Sequence, residues 1–150
     1  MEMTGEQLIA LPQRATWDAL NDTAVLMDCI PGCDSMEKQS DNEYLLTMTA
    51  RVGPVSAKFK GKMTLLEVQA PDSYTLHFEG QGGVAGFAKG EAHVRLLPEG
   101  ESTRLAYGVK ASIGGKLAQV GARLIDGVAK KMAEQFFTAF NKRASGGESA

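Results

Sequence analysis

Hydrophobic and polar positions alternate through the middle of the chain, from Gly32 to Ile113, as in β-strands that bury one face. Turn-forming pairs such as Gly53-Pro54 and Pro71-Asp72 interrupt the alternation at the spacing of an antiparallel meander. The pattern therefore predicts six consecutive strands. The positions predicted to face inward are Tyr44, Leu46, Met48, Ala50, Val52, Val55, Ala57, Phe59, Gly61, Met63, Leu65, Tyr74, Leu76, Phe78, Leu105, Tyr107, Val109, Ala111 and Ile113.

Before this region the sequence predicts one more strand and two short helices. The strand ends at Ile9, and the first helix runs from Pro12 to about Leu20, with Pro12 in the first turn, where a missing N–H costs nothing. Thr23 is placed to cap the second helix, which ends near Cys29.

A long helix is predicted to follow Gly114-Gly115 and to continue to about Lys142. One face is polar (Gln119, Arg123, Asp126, Lys130, Glu134, Asn141) and the other apolar (Leu117, Leu124, Ile125, Val128, Met132, Phe136). The simplest fold that buries both apolar surfaces is α+β, with a curved seven-stranded antiparallel sheet wrapped on the long helix. We expect one domain over residues 1–143 and a disordered tail over residues 144–150.

The inward positions include small residues where a core would place large ones. Gly61 lies between Phe59 and Met63, Gly80 extends the inward register of Phe78, and only 7% of the chain is aromatic. The sequence thus predicts an apolar cavity between helix and sheet, although a sheet bent at the glycines with a flush helix is the alternative. The residues expected to line the cavity and bind its ligand are Trp17, Ile30, Met48, Phe59, Met63, Phe78, Leu117, Gly121, Leu124 and Met132.

The predicted lining offers little chemistry for catalysis. The inward register holds no histidine, no lysine and no pair of carboxylates, which general acid–base or nucleophilic catalysis would need. The net charge is -2 and the positive and negative residues are mixed along the chain, so the sequence does not predict the basic patch that nucleic-acid binding needs. These absences favour a binding protein without an intrinsic cofactor over an enzyme.

Both cysteines lie in one stretch, Cys29-Ile30-Pro31-Gly32-Cys33. A structural zinc site needs four ligands, and the only histidines, His77 and His93, fall on the outward register. A disulfide around a Pro-Gly turn is geometrically awkward and is not needed in a reducing compartment. We interpret the stretch as a rigid hinge with free thiols; a conditional disulfide and a metal site remain alternatives.

Residues 80–86 are rich in glycine but do not predict a phosphate-binding loop, because a strand-like segment follows them where that motif requires a helix N-terminus. We expect a glycine-rich hairpin. If it is centred on Ala85, His77 and His93 become cross-strand neighbours on the outer face, either a solvated pair or a weak metal site.

Two further surface features have alternative interpretations. Lys58, Lys60 and Lys62 form a basic ladder that either pairs with Glu79 and Glu91 or docks on anionic lipid or an acidic protein. In the long helix, Phe137 projects toward the polar stripe. It either caps the edge of the core or touches a membrane or partner.

Several motifs resemble the carbon monoxide dehydrogenase G-subunit family, within the START-like helix-grip superfold. The resemblance covers roughly residues 1–143, and the Ile-Pro-Gly-Cys turn and the Gly-Gly-Lys-Leu-Ala-Gln helix start are its specific parts. The segments that carry it are Trp17-Asp18-Ala19-Leu20-Asn21-Asp22, Cys29-Ile30-Pro31-Gly32-Cys33-Asp34, Phe59-Lys60-Gly61, the hairpin at 80–90, and residues 114–125.

The resemblance implies an accessory protein without known catalysis, associated with molybdenum hydroxylases of the carbon monoxide dehydrogenase type. It implies a role in bringing such an enzyme to the membrane, with an isoprenoid quinone or a lipid as the cavity ligand. Some relatives carry a long C-terminal extension suited to anchoring, whereas this chain stops soon after Arg143. We therefore expect independent membrane attachment only if the long helix or the lysine ladder supplies it.

Two other functions stay open. Superfold relatives include polyketide cyclases and aromatases, and a Tyr107 that lines the pocket with a perturbed pKa would favour such an enzyme. A cavity-free interaction module is the second alternative. The polar N-terminal segment and the lack of a long apolar run predict a cytoplasmic protein, with peripheral contact at the inner face of the membrane as an option.

Overall fold

The computed structural model describes residues 1–146. Within them, seven strands form one antiparallel sheet in the order β1-β7-β6-β5-β4-β3-β2, which confirms the predicted fold class. The elements are β1 (Glu2–Ile9), α1 (Gln13–Leu20), α2 (Thr23–Cys29), β2 (Cys33–Ser40), β3 (Glu43–Val52), β4 (Val55–Gln69), β5 (Ser73–Gln81), β6 (Phe87–Glu99), β7 (Ser102–Gly114) and α3 (Ala122–Gly146). A 3₁₀ helix, Gly83–Ala85, connects β5 to β6, and a second one, Gly115–Val120, follows β7.

The alternating pattern sets which face of the sheet is buried. In β3, Tyr44 and Leu46 are buried whereas Leu45 between them is exposed, as a period of two requires. The same register continues across the strands, so that Met63 of β4 lies opposite both Tyr44 of β3 and Phe78 of β5. The inner face is therefore apolar across the middle strands, and α3 lies against it.

Three helix boundaries differ from the prediction. Pro12 immediately precedes α1 instead of lying in its first turn. The cap of α2 is Asp22, whose carboxylate accepts a hydrogen bond of 2.9 Å from the Ala24 N–H, so Thr23 is the first helical residue and not the cap. The long helix begins only at Ala122, because the 3₁₀ helix and Gly121, with φ at +98°, stand between it and β7.

The C-terminal half of α3 is fixed firmly to the rest of the fold. Phe137 and Phe140 are buried, so Phe137 belongs to the core and the alternative of a membrane or partner contact is wrong. The Asn141 amide donates to the Leu8 carbonyl at 3.1 Å and accepts from the Ala10 N–H at 3.0 Å. Arg143 pairs with Asp28 of α2. Of the predicted tail, residues 144–146 continue α3 and residues 147–150 lie outside the described residues.

Two packed regions occupy the two ends of the space between helix and sheet. The larger is built from α1, α2, the C-terminal half of α3 and the strands beneath them; it comprises Ile9, Trp17, Leu20, Val25, Cys29, Tyr44, Leu65, Tyr74, Val94, Leu96, Leu105, Phe137 and Phe140. The smaller centres on Phe59, Ala85 and Leu117 at the other end. The middle of the molecule, between these regions, is where the candidate site lies.

Candidate ligand-binding cavity

An apolar cavity lies between α3 and the sheet, in two adjoining chambers of about 380 Å³ and about 360 Å³. Both volumes are in the range of small-molecule sites, about 300–1,000 Å³. Five residues line both chambers and so mark their junction: Ile30, Met63, Leu76, Ala129 and Met132. Because Met63 and Met132 are flexible and polarisable, the junction can adapt its shape to a guest.

Glycine in two neighbouring strands opens the second chamber. Gly61 of β4 lies directly opposite Gly80 of β5, and both line this chamber. Gly61 and Gly80 form the next inward-facing pair after Met63 and Phe78. Neither strand has a side chain at that pair, which leaves space on the inner face. These are the glycines from which the sequence predicts a cavity, and the structure has the cavity where they lie.

Three tyrosines and Asn21 bring polar side-chain atoms to the wall of the first chamber. Tyr44, Tyr74 and Tyr107 all line it, and burial raises the pKa of each above the ordinary tyrosine value. For Tyr107 the nearby Glu134 carboxylate raises the pKa further. All three phenols are thus neutral at physiological pH, and the lining of this chamber carries no ionised side chain.

Charged residues border only the second chamber. Lys62 and Glu79 are the two, and both project from exposed outward positions of their strands. Lys62 pairs with Glu43, 3.8 Å away. The chamber interior is consequently apolar as well.

The structure places seven of the ten predicted lining residues at the cavity wall. Ile30, Met63 and Met132 line both chambers, and Met48, Phe59, Phe78 and Leu117 line the second. Their contact with a ligand stays a prediction.

The other three predicted residues lie elsewhere. Trp17 is part of the larger packed region, where its ring meets Tyr74 edge-on at 5.4 Å. Leu124 is 39% exposed and packs over Gly53, and Gly121 lies in the exposed link before α3. Leu124 lies within α3, about 100° around the helix axis from the wall residue Ile125, so it falls at the edge of the apolar face. Gly121 precedes the helix, with φ at +98°.

Sequence reasoning missed several residues of the wall. Tyr44, Leu76 and Tyr107 belong to the predicted inward register but not to the predicted cavity, and Ala129 and Phe136 complete its helical side. The alternating pattern identifies such positions as inward. It does not say how far the helix stands from the sheet, which decides between a packed contact and a cavity wall.

The stretch that holds both cysteines is a hinge that also supplies the wall. Gly32 has φ at +77°, and a Cβ there would run into the Thr49 carbonyl, so glycine is required. The turn places Ile30 and Pro31 against the first chamber. Both thiols are free, and burial is the main cause that raises their pKa.

The outer face of the sheet carries polar groups in a different register from the one predicted. The hairpin centres on Val84, so His77 lies opposite Glu91 and His93 opposite Thr75. The Glu91 carboxylate lies 3.9 Å from His77 Nε2 and 3.8 Å from His93 Nε2. Within residues 1–146, no three His, Cys, Asp or Glu side chains are arranged to share a metal ion.

In the same part of the chain, no helix combines the length and apolarity needed to span a bilayer.

Comparison with known proteins agrees with the fold and identifies the family. A conserved protein from Geobacillus kaustophilus is 29% identical and superposes with a TM-score of 0.90 over 97% of this chain and 95% of that one. A START superfamily protein from Mycobacterium smegmatis (14% identity, TM-score 0.72, 95% of each chain) shares the fold. So does an aromatase/cyclase from a Streptomyces species (10% identity, TM-score 0.70, 96% of this chain and 95% of that one).

None of the curated proteins compared with the chain matches it. The model of the carbon monoxide dehydrogenase G-subunit (CoxG) family, however, matches residues 5–145, nearly the whole length. The fold is that of START proteins, as the motifs of the sequence suggested. This chain belongs to the carbon monoxide dehydrogenase G-subunit family, CoxG.

Proposed function

We propose that the protein binds one elongated apolar molecule, an isoprenoid quinone or a lipid, in the cavity between α3 and the sheet. The observation that carries the proposal is the pair of adjoining chambers whose interior presents no ionised side chain. An apolar cavity of this kind excludes ordered water and accepts apolar guests. Two chambers in series suit a long guest better than a compact one.

The size of the void supports a guest over an unused packing defect. Apolar side chains that line an unfilled space lack dispersion contacts on that side, and a space of several hundred Å³ leaves many such contacts unmade. A ligand that fills the cavity restores those contacts, whereas an interaction module has no use for it.

We further propose that the protein is a non-catalytic accessory of a carbon monoxide dehydrogenase-type molybdenum hydroxylase and assists its recruitment to the membrane. Membership in the CoxG family supports the partner class. Tyr107 lines the first chamber and burial raises its pKa, so the feature that would favour a cyclase-like enzyme is present. A phenol with a raised pKa can donate a hydrogen bond but is a poor base or nucleophile.

A fluorescence titration tests the ligand proposal. N-phenyl-1-naphthylamine is uncharged and fluoresces in apolar sites, so it should bind one per chain with a blue-shifted emission. A long-chain quinone or a lipid should displace it, whereas a short polar quinone should not. Failure to bind the probe would contradict the proposal. So would bound probe that no apolar competitor displaces.

The partner half needs a separate experiment with a defined enzyme. A purified carbon monoxide dehydrogenase-type hydroxylase from the same organism should co-elute with this protein in size-exclusion chromatography. A hydroxylase of the same class from a distant organism is the control. Elution of the two proteins apart at all concentrations would contradict the accessory role without affecting ligand binding.

A further inference from the structure

Three segments of the chain meet at one end of the molecule, and their charge differs from that of the rest. They are residues 51–60 around the β3–β4 turn, residues 82–90 around the β5–β6 hairpin, and residues 114–124 after β7. Leu124 packs over Gly53, the Phe59 ring lies over Gly82, and Gly86 lies against Gly115. We name this surface the basic end.

The basic end holds six of the chain's 16 Lys and Arg residues and none of its 18 Asp and Glu residues. Its six cations are Arg51, Lys58, Lys60, Lys89, Lys116 and Arg123. Elsewhere, cations such as Arg14, Arg104 and Arg143 pair with carboxylates. Within residues 1–146, none of the six forms an ion pair. A chain with a net charge of -2 thus presents one strongly positive end.

Apolar side chains protrude from the middle of this positive surface. Val84, at the tip of the β5–β6 hairpin, is 84% exposed, and Leu124 at the start of α3 is 39% exposed. An exposed apolar tip surrounded by cations is the composition of surfaces that bind the interface of an anionic bilayer. On such surfaces the cations attract the headgroups, and the exposed apolar side chain inserts among the acyl chains.

We propose that the basic end docks on a bilayer that contains anionic lipid. The proposal rests on the membrane role proposed above and names the surface that performs it. An acidic protein or a nucleic acid would satisfy the cations but would leave the protruding Val84 in water, whereas a bilayer accommodates both. Val52 and Leu117 of this end line the second chamber, so docking would bring the bilayer next to the wall of the cavity.

The helical wall of the cavity is also least buried at this end. From Ala122 to Met132 no residue of α3 is buried, in contrast to the anchored half that contains Phe137 and Phe140. Local opening is favoured where few side chains are buried. Docking would therefore bring the least buried part of the helical wall to the bilayer surface.

Vesicle co-sedimentation tests the docking surface on the full chain. The protein should bind vesicles of phosphatidylcholine with phosphatidylglycerol but not phosphatidylcholine alone, and lose binding near 1 M salt, where the Debye length is about 3 Å. Each basic residue near an anionic surface contributes a factor of about five to partitioning. The double variant Lys116→Glu/Arg123→Glu should therefore bind at least about tenfold more weakly.

Matched control variants distinguish the effect of the basic end on vesicle binding from the effects of net charge and of general hydrophobicity. Lys38→Glu/Arg95→Glu changes the charge equally at exposed positions of β2 and β6 toward the other end, and it should leave binding unchanged. Val84→Asp should weaken binding, whereas Leu8→Asp, at a site 53% exposed on β1, should not. Absence of binding by the unaltered protein, or equal weakening by both double variants, would overturn the proposal.

The result is distinguishable from failure of the cavity function. If vesicle binding fails while N-phenyl-1-naphthylamine still binds, the docking surface is wrong and the ligand proposal stands. If the probe fails while anionic vesicles still bind through the basic end, the ligand proposal is wrong and the docking surface stands.

Discussion

The ring of Phe137 on α3 stacks on the ring of Tyr107 on β7, with centroids 5.4 Å apart and planes 26° from parallel. Both residues line the first chamber. The pair therefore joins the anchored half of the helix to the sheet and closes that chamber at the same time. Gly5 of β1 makes room for this arrangement, because a Cβ there would overlap the Tyr107 ring.

Removal of the Phe137 ring should destabilise the fold. The side chain is only 9% exposed, and truncation of a buried phenylalanine costs about 3–5 kcal/mol. We expect Phe137→Ser to lower the free energy of unfolding in urea by about 3 kcal/mol, with Thr138→Ser, at an exposed position, as the control. An unchanged urea midpoint would contradict the assignment of Phe137 to the core.

A large side chain at the junction of the chambers should block the ligand. Ala129 lines both chambers, so Ala129→Phe should fill the junction and lower affinity for N-phenyl-1-naphthylamine at least about tenfold, or about 1.4 kcal/mol. Because the new ring occupies an existing void, stability should not fall. Ala118→Phe places the same ring at an exposed position and should bind normally. Equal affinity in the two variants would place the probe outside this cavity.

The glycine of the hinge should be irreplaceable for a steric reason. Gly32 and Gly100 both have positive φ, but a Cβ at position 100 would meet nothing, whereas one at position 32 would meet the Thr49 carbonyl. Gly100→Ala should cost about 1 kcal/mol from the left-handed backbone alone. Gly32→Ala should cost clearly more and should also weaken probe binding, because Ile30 would move. Equal losses of stability would show that the hinge tolerates a side chain.

Alkaline pH should destabilise the protein through its tyrosines. The chain has three tyrosines, and burial raises the pKa of every one. The unfolded chain loses these protons near pH 10, while the folded chain holds them to higher pH. The stabilisation is therefore complete below about pH 10 and is lost as pH rises through the folded values. Absorbance at the phenolate band should show that the folded protein ionises at higher pH than the unfolded chain; titration of the folded tyrosines at the ordinary pKa would contradict the burial.

The fold could be predicted from the sequence because strict alternation assigns each strand residue to the inner or the outer face of the sheet. Glycine at two inward positions, 61 and 80, also predicted where the sheet lacks side chains. The errors concern geometry that the pattern does not contain. Leu124 lies about 100° from Ile125 on α3, at the edge of the apolar face, and the hairpin centres on Val84 instead of Ala85, which changes the partners of His77. Trp17 was misplaced because composition does not reveal that its ring packs on Tyr74.

The most direct test is to identify what the cavity holds in the purified protein. Organic extraction followed by mass spectrometry should recover close to one quinone or lipid per chain from a host that makes isoprenoid quinones. The Ala129→Phe variant should yield much less than Ala118→Phe from the same host. Extracts without any apolar molecule, repeated from quinone-rich cells, would contradict the claim that the chambers between α3 and the sheet exist to hold one.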